Sequence, residues 1–302
     1  MCTSTIPTRS GATALSETPL PPPVSRSVTT EWRSTLPNAQ NRADFEARLR
    51  AIGDARYHDK HPFHGMLHGG ECTITQVRAW VINRFYYQSR IPLKDAAFMS
   101  RCEDVSIRRA WRKRIEDHDG GQEEGGGIRR WLKLAEAVGL DPDYVSSNRG
   151  VLPGTRFACD AYVRFVRDMP MLDAVAASLT ELFAPAIHKN RIAGLIEHYA
   201  FANDEALSYF RKRLDEAPVD VAFGLNYVLD HANTKEKQDA AAAALTFKTD
   251  VLWAQLDALH HAYVSPALLP LGGWDGKEGV IGDLDQPARK QDAGHDIKGA
   301  AE

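Results

Sequence analysis

Apolar residues recur three and four positions apart through the middle of this chain, the spacing of a single helix face. Thr73 followed by Gln76 is a capping-box pattern, and it opens a predicted helix that runs through Trp80, Val81 and Phe85 and stops before Pro92. A second helical stretch is predicted over residues 93–102, and another after Asp104, with Ile107, Trp111 and Ile115 on one stripe. Glycines crowd residues 120–127, which therefore read as a loop. Residues 128–138 are amphipathic, and Gly139 suits a C-terminal cap. Further helices fit residues 156–167, 172–196, 204–214 and 219–232, and a long one fits 235–263. The sequence has no strand-like alternation of useful length and no internal repeat. The expected fold is all-α: a helical bundle over residues 40–265, with a flexible leader over 1–39 and a flexible, linker-like tail over 266–302.

Composition narrows the setting. With 302 residues, 43% hydrophobic and 25% charged, the chain is long enough to close a sizeable core. A net charge of -3 gives no electrostatic reason to expect nucleic acid or an anionic membrane as partner. No run of eighteen apolar residues occurs, so no transmembrane helix is expected. The Ser-, Thr- and Pro-rich start lacks the apolar stretch of a secretory signal. The four cysteines, Cys2, Cys72, Cys102 and Cys159, are widely spaced, which reads as unpaired thiols in a reducing cytoplasm.

The bundle pattern is broken in a consistent way, by polar residues on faces that should be apolar. Lys248 lies in the stripe Leu245, Lys248, Leu252, Leu256, Leu259. Arg114 and His118 flank Trp111 and Ile115; Arg84 and Gln88 sit beside Val81 and Phe85; Tyr209 and Arg213 bracket Phe210. Glu181, His188 and Arg191, seven and three apart, share one side of the helix expected over 172–196. Any one of these has an ordinary reading, a long side chain reaching solvent. Five helices with the same departure point inward instead. A buried unpaired charge costs several kcal/mol as a rough rule, so Arg84, Arg191, Arg213 and Lys248 need anions, and Glu181 is nearly the only inner-face acid. A small polyanion inside the bundle meets that need, since Arg grips carboxylates through two bonds.

His58, His61, His64 and His68 form a dense cluster, but Pro62 interrupts it and no Cys or Glu lies at ligand spacing. A di-iron bundle needs Glu-x-x-His pairs; none occurs, and Asp257-x-x-His260 is the nearest approach. No metal site is expected.

Several longer segments carry a resemblance. They are the stretches Tyr57-His58-Asp59-Lys60-His61-Pro62-Phe63-His64, Asn83-Arg84-Phe85-Tyr86-Tyr87-Gln88 and Ile91-Pro92-Leu93-Lys94-Asp95-Ala96-Ala97. Asp117-His118-Asp119-Gly120 and Ser178-Leu179-Thr180-Glu181-Leu182-Phe183-Ala184-Pro185 complete the set. In this order, over about residues 40–265, the chain resembles the pyrroloquinoline-quinone synthase family. The resemblance implies a compact seven-helix bundle of the haem-oxygenase-like kind, usually a homodimer. It implies ring closure and eight-electron oxidation of a ring-open tricarboxylic quinone precursor by dioxygen, giving hydrogen peroxide and the quinone. It implies no metal or organic cofactor.

By matching motif, the family's pocket residues fall on Tyr57, His58, Arg84, Gln88, His118, Tyr162, Glu181, His188, Arg191, Tyr209, Arg213, Lys248 and Leu252. The resemblance makes His118 the general base and gives His188, Tyr209 and Arg213 to oxygen or peroxide. It gives Arg84, Arg191 and Lys248 to carboxylates or quinone oxygens, and proton transfer to Glu181 with His58. Tyr57, Gln88, Tyr162 and Leu252 then line the substrate, while Lys94 and Arg114 are explained as well by structural support. Some relatives are fused through a tail like this one to the pathway's peptide-chaperone component, a further expected partner. Three other readings stay open at this level: a metal-dependent oxygenase, a thiamin-degrading hydrolase, and a quinone carrier without catalysis. The missing Glu-x-x-His pairs weigh against the first. The lack of a cysteine near the pocket motifs, Cys159 apart, weighs against the second. The set His118, His188, Tyr209, Arg213 weighs against the third, because a carrier needs the cations and not the proton-transfer groups.

Overall fold

The computed structural model describes residues 38–121, 125–282 and 289–290, with the backbone alone over 216–221. The helices, in chain order, are α1 (Arg42–Arg56), α2 (Pro62–His68), α3 (Ile74–Met99), α4 (Val105–Asp119), α5 (Gly127–Ala137), α6 (Pro142–Ser146), α7 (Pro153–Asp168), α8 (Met171–Ala176), α9 (Ala184–His198), α10 (Ser208–His231) and α11 (Lys235–Tyr263). Short 3-10 turns at His58–Lys60 and Leu179–Leu182 precede α2 and α9. Eleven α-helical segments are thus described where seven helices were expected; α2, α6 and α8, of seven, five and six residues, connect longer ones. Among the described residues, β pairing is confined to isolated bridges, and no helix is long and apolar enough to cross a membrane.

Helix starts follow their local chemistry. Thr73 and Gln76 cap each other reciprocally, Thr73 Oγ1 accepting from Gln76 N–H and Gln76 Oε1 from Thr73 N–H at 2.9 Å. Asp104 accepts from Ser106 N–H and Ile107 N–H at the head of α4. Prolines stand in the first turn of α2, α6, α7 and α9, where a missing N–H costs nothing.

α3 is the central helix, packed against α4, α5, α7 and α11, while α11 also carries α1 and α8. Their shared core encloses Phe45, Leu49, Phe63, Phe98, Trp111, Trp131 and Phe210. Burying each such side chain is worth roughly 1.5–3 kcal/mol relative to exposure. Cys72, Cys102 and Cys159 are buried free thiols.

The helices depart from the expected bounds in three places. α3 does not stop before Pro92 but runs through it. Proline there costs one backbone bond, and the turns on either side bury Gln88, Ile91, Lys94 and Asp95, so packing outweighs the break. The stretches expected at 204–214 and 219–232 join in α10. Conversely, the helix expected over 172–196 is interrupted: α8 ends at Ala176, a 3-10 turn follows, and Pro185 sits in the first turn of α9.

The stretch read as the start of a loose tail also differs. Trp274 is 1% exposed, its Nε1–H donates to the Glu278 carbonyl at 2.7 Å and its N–H to the Gly150 carbonyl at 3.0 Å. Tyr263 Oη donates to the Trp274 carbonyl at 2.9 Å. Asp141 N–H and Ile281 N–H bond across to Gly279 and Gly139 carbonyls at 2.7 and 2.9 Å. One indole seats this segment on the ends of α5 and α6, beyond the expected boundary at 265. The leader call on 1–39 falls, up to residue 37, outside the described residues, as do 283–288 and 291–302 of the tail.

Candidate functional site

Helical spacing delivers the site. On α3, Arg84, Tyr87, Gln88, Ile91 and Lys94 follow one another at three and four residues and face one interior pocket. α4 adds Arg114 and His118, α7 Tyr162, α10 Tyr209 and Arg213, and α11 Lys248 and Leu252. α9 adds Ala184, Ile187, His188 and Arg191, again at three and four. Tyr57 and His58 come from the junction of α1 and the first 3-10 turn; Ser178, Thr180 and Glu181 come from the second. The pocket encloses about 620 Å³ not filled by protein atoms, part of it open to solvent.

All thirteen residues singled out in the sequence line this pocket. Eight others join them: Tyr87, Ile91, Lys94, Arg114, Ser178, Thr180, Ala184 and Ile187. Lys94 and Arg114, which structural support explains as well as a site role does, stand in the lining. Tyr87 and Ile91 were legible, since they continue the spacing of Arg84 and Gln88. Ser178, three before Glu181, and Thr180, eleven before Arg191, fall on the same side even of a continuous helix over 172–196, and only their small neutral side chains kept them from standing out. Glu181 does not share a helix with His188 and Arg191, yet the 3-10 turn carries it to the same wall.

Charge in the pocket is lopsided. Six cations line it against one carboxylate. Glu181 Oε2 accepts from Arg213 Nη2 at 2.7 Å. Beneath the wall, Asp95 pairs with Lys94, accepts from Trp111 Nε1–H at 2.7 Å, and lies 3.8 Å from Arg114 Nε. Arg84, Arg191 and Lys248 have no carboxylate partner among the described residues. They rest on softer contacts. Arg84 lies over the Tyr87 ring at 4.1 Å. Lys248 donates to Tyr87 Oη at 2.8 Å and sits 3.7 Å above the Tyr162 ring. Arg191 Nε–H donates to His68 Nε2 at 3.0 Å.

Burial among like charges sets the protonation. Burial, with Arg84 beside it, pushes the Lys248 amine well below the ordinary lysine range, and burial brings Arg191 down to about 10. Burial also lowers His118 to about 4, aided by Arg213, and His188 to about 3, aided by Arg191. His58 falls well below the ordinary imidazole range for the same reason. For Glu181, burial acts to raise the carboxyl, but Arg213 and Arg114 outweigh it and hold it at about 2. At neutral pH the pocket therefore presents neutral imidazoles beside an ionised Glu181.

Two histidines are oriented for work on a guest. His118 Nδ1–H donates to the Arg114 carbonyl at 3.0 Å, which leaves Nε2 as the basic nitrogen. Gly126 packs so closely on this turn that a Cβ there would meet the His118 carbonyl oxygen at 2.3 Å. His188 Nδ1, like His58 Nδ1, is buried without a hydrogen-bond partner among the described residues. Tyr209 Oη donates to Gln88 Oε1 at 2.8 Å, fixing both on the wall. Phe183 fills a notch at Gly53, where a Cβ would lie 2.1 Å from its ring, and packs against Tyr57 with ring centroids 5.2 Å apart and the planes tilted by 55°.

The histidine cluster divides. Only His58 reaches the main pocket. His61 Nδ1 accepts from Phe63 N–H at 3.0 Å as the cap of α2, and its Nε2 faces Asp257 Oδ1 at 3.1 Å. His68 Nδ1–H donates to the His64 carbonyl, and its Nε2 accepts from Arg191. Both nitrogens of His61 and of His68 are thus engaged by protein groups. Among the described residues no set of three or more His, Cys, Asp or Glu side chains is arranged to hold a metal ion.

Comparison with known proteins agrees with this geometry. The chain is 79% identical over 246 residues to a pyrroloquinoline-quinone synthase of Rhizobium rhizogenes, covering 82% of this chain and 100% of that one. It is 50% identical over 269 residues to the bifunctional coenzyme PQQ synthesis protein C/D of Methylorubrum extorquens, covering 86% of this chain and 72% of that one. In three dimensions it is similar to a domain with a heme oxygenase-like fold from Shewanella denitrificans, with a TM-score of 0.60 at 12% identity over 78% of this chain and 98% of that one. The family model described as TENA/THI-4/PQQC matches residues 46–258, a span that holds every pocket residue named above, and the chain belongs to that family.

Proposed function

We propose that this protein is an enzyme of pyrroloquinoline quinone biosynthesis and that it performs the last oxidation: ring closure and eight-electron oxidation of a ring-open tricarboxylic precursor, with dioxygen reduced to hydrogen peroxide. The similarity to pyrroloquinoline-quinone synthases supports the pathway. The observation that carries the reaction is the trio of basic side chains Arg84, Arg191 and Lys248, the first half-buried and the other two buried, without carboxylate partners among the described residues and facing a guest that brings three carboxylates. Each salt link so formed returns the cost of burying its cation.

In this reading His118 Nε2 takes protons from carbon, its tautomer fixed by the Arg114 carbonyl. His188, Tyr209 and Arg213 receive oxygen and stabilise negative charge as it is reduced. Glu181, ionised beside Arg213, shares proton transfer with His58. Tyr57, Gln88, Tyr162 and Leu252 shape the walls around the ring system. The precursor is an electron-rich quinol that passes electrons to oxygen itself, so positioning and proton removal suffice and no metal or organic cofactor is required. Homodimerisation and a cytoplasmic setting belong to the same proposal. So does contact with the pathway's peptide-chaperone component, which the bifunctional relative supports.

The test is aerobic turnover of the ring-open precursor by chelator-treated protein, following quinone absorbance and peroxide together. Quinone and peroxide that appear together, and vanish without oxygen, are expected. Activity that returns only with added iron would give the site to a metal-dependent oxygenase. Binding without turnover in either state would make the protein a carrier.

A further inference from the structure

Behind the main pocket lies a second, smaller chamber. His58, Arg84 and Arg191 form the wall between the two. Apolar residues, Phe63, Leu67, Trp80, Leu256 and Leu259, make up most of the rest. Of its roughly 380 Å³ of unfilled space, only about 10 Å³ admits the centre of a water-sized molecule, which is room for about one.

The polar groups of this chamber are unevenly satisfied. Asn83 is complete: its Nδ2 donates to the Ala79 carbonyl at 2.9 Å, and its Oδ1 accepts from Leu152 N–H at 2.9 Å. Arg191 spends Nε on His68, and Arg84 lies on the Tyr87 ring. Gln255 is half complete. Its Nε2 donates to the Val251 carbonyl at 3.0 Å, which fixes the amide orientation and leaves Oε1 buried without a donor. Among the described residues neither that Oε1 nor His58 Nδ1, also buried, has a hydrogen-bond partner. Both side chains are nearly sealed from solvent, at 3% and 4% exposure. An orphaned buried acceptor costs about 1–3 kcal/mol, so a partner is expected.

The chemistry selects the partner. Gln255 Oε1 needs an O–H or N–H donor, which dioxygen does not have. His58 Nδ1 needs an acceptor or a donor according to its tautomer. A small hydroxylic molecule does either, and both side chains line this one chamber. We propose that this chamber is a binding site for one such molecule, water or hydrogen peroxide, held between His58 and Gln255, and that it carries protons between the main pocket and His64. His64 lines the same chamber, with its ring centroid 5.9 Å from that of His58 and 3.9 Å from that of His68. His68, partly exposed, lies beyond His64, with its own two nitrogens held by the His64 carbonyl and Arg191. The hand-off moves a proton only: the chamber molecule accepts one from an imidazole and releases one to the next, with no change in bonding to carbon. Occupancy of the chamber stands on the geometry alone; the proton role rests on the oxidation proposed above.

The experiment is a high-resolution crystal structure of the full chain, grown without oxygen or peroxide, then soaked in hydrogen peroxide, then pressurised with xenon. Density for one atom within hydrogen-bond distance of His58 Nδ1 and Gln255 Oε1 identifies water. Density that lengthens to two atoms only after the soak identifies peroxide. A chamber that takes up xenon and shows neither is dry, and the proposal fails whether or not the protein oxidises the precursor. In turnover, Gln255→Leu, similar in volume, is expected to lower kcat about tenfold with KM little changed and to alter the solvent isotope effect. Gln255→Glu, which keeps an acceptor there, is expected to recover most of the rate. An unchanged isotope effect in a folded Gln255→Leu variant would remove the proton role.

Discussion

His118 donates Nδ1–H to the Arg114 carbonyl, and burial with Arg213 nearby lowers its basicity to about 4. The base form is then already present at neutral pH, with no proton to shed first. Because kcat/KM reports the free enzyme, its acid limb from this residue should fall near pH 4 and not in the ordinary imidazole range near 6.5. A limb near 6.5 that His118→Gln abolishes would mean that the imidazole is far less buried in solution. His118→Ala should lower kcat about 10²–10⁴-fold while the quinone product still binds. Arg84→Met or Lys248→Met should behave in the opposite way. Each removes a basic side chain that has no carboxylate of its own among the described residues, so product affinity should fall by roughly 2 kcal/mol or more, read by equilibrium titration. Equal affinity in both variants would mean that the carboxylates are held elsewhere.

Elements show where reading the sequence worked and where packing overruled it. The inner face of α3 was legible because Arg84 and Gln88 break an otherwise apolar stripe at helical spacing. Its length was not, because a proline rule that is sound for an isolated helix yields when Ile91 before it and Lys94 and Asp95 beyond it are buried. Between α8 and α9 the error ran the other way, and Pro185 marks the start of a helix that the apolar periodicity had extended backwards. Trp274 was missed for a different reason: a single aromatic in a glycine-rich run has no periodicity to read. Its burial nevertheless ties the segment after α11 to the turns around Gly139 and Gly150. Trp274→Ala should cost about 3–5 kcal/mol, measured by denaturant unfolding, and leave the pH dependence of kcat/KM unchanged because its hydrogen-bond partners Gly150, Tyr263 and Glu278 lie outside the pocket lining. A loss under about 1 kcal/mol would mean that this segment is not docked in solution.

For the molecule as a whole, the pocket and the imidazoles behind it concentrate groups whose burial opposes protonation. His118, His188, His64 and His68 sit at about 4, 3, 2 and 3, against an ordinary 6.5. Unfolded chain binds protons on these imidazoles as pH drops through 6.5, while the folded protein does not. Stability therefore holds above about pH 6.5 and declines from there to about pH 4, where the first of the folded groups also protonates. Glu181, held at about 2 by Arg213 and Arg114 against an ordinary 4.5, contributes stability that is lost lower down, as pH falls from 4.5 toward 2. The upper window separates the effect of the imidazoles from ordinary acid denaturation through carboxylates. The melting temperature should fall measurably between pH 7.5 and 5.5, where surface carboxylates have barely begun to titrate. Saturating quinone product should raise the melting temperature at both pH values and also lessen that fall. Binding to the folded state alone adds about 2.7 kcal/mol at a hundredfold excess over Kd. Three carboxylates beside Arg84, Arg191 and Lys248 also make protonation of the neighbouring imidazoles less costly, so the folded protein takes up protons that it otherwise refuses. Titration calorimetry at pH 6 in two buffers of different ionisation enthalpy should then show net proton uptake on binding. Heats that are identical in the two buffers would mean that the pocket imidazoles do not sense the ligand, and that the cations alone make the site.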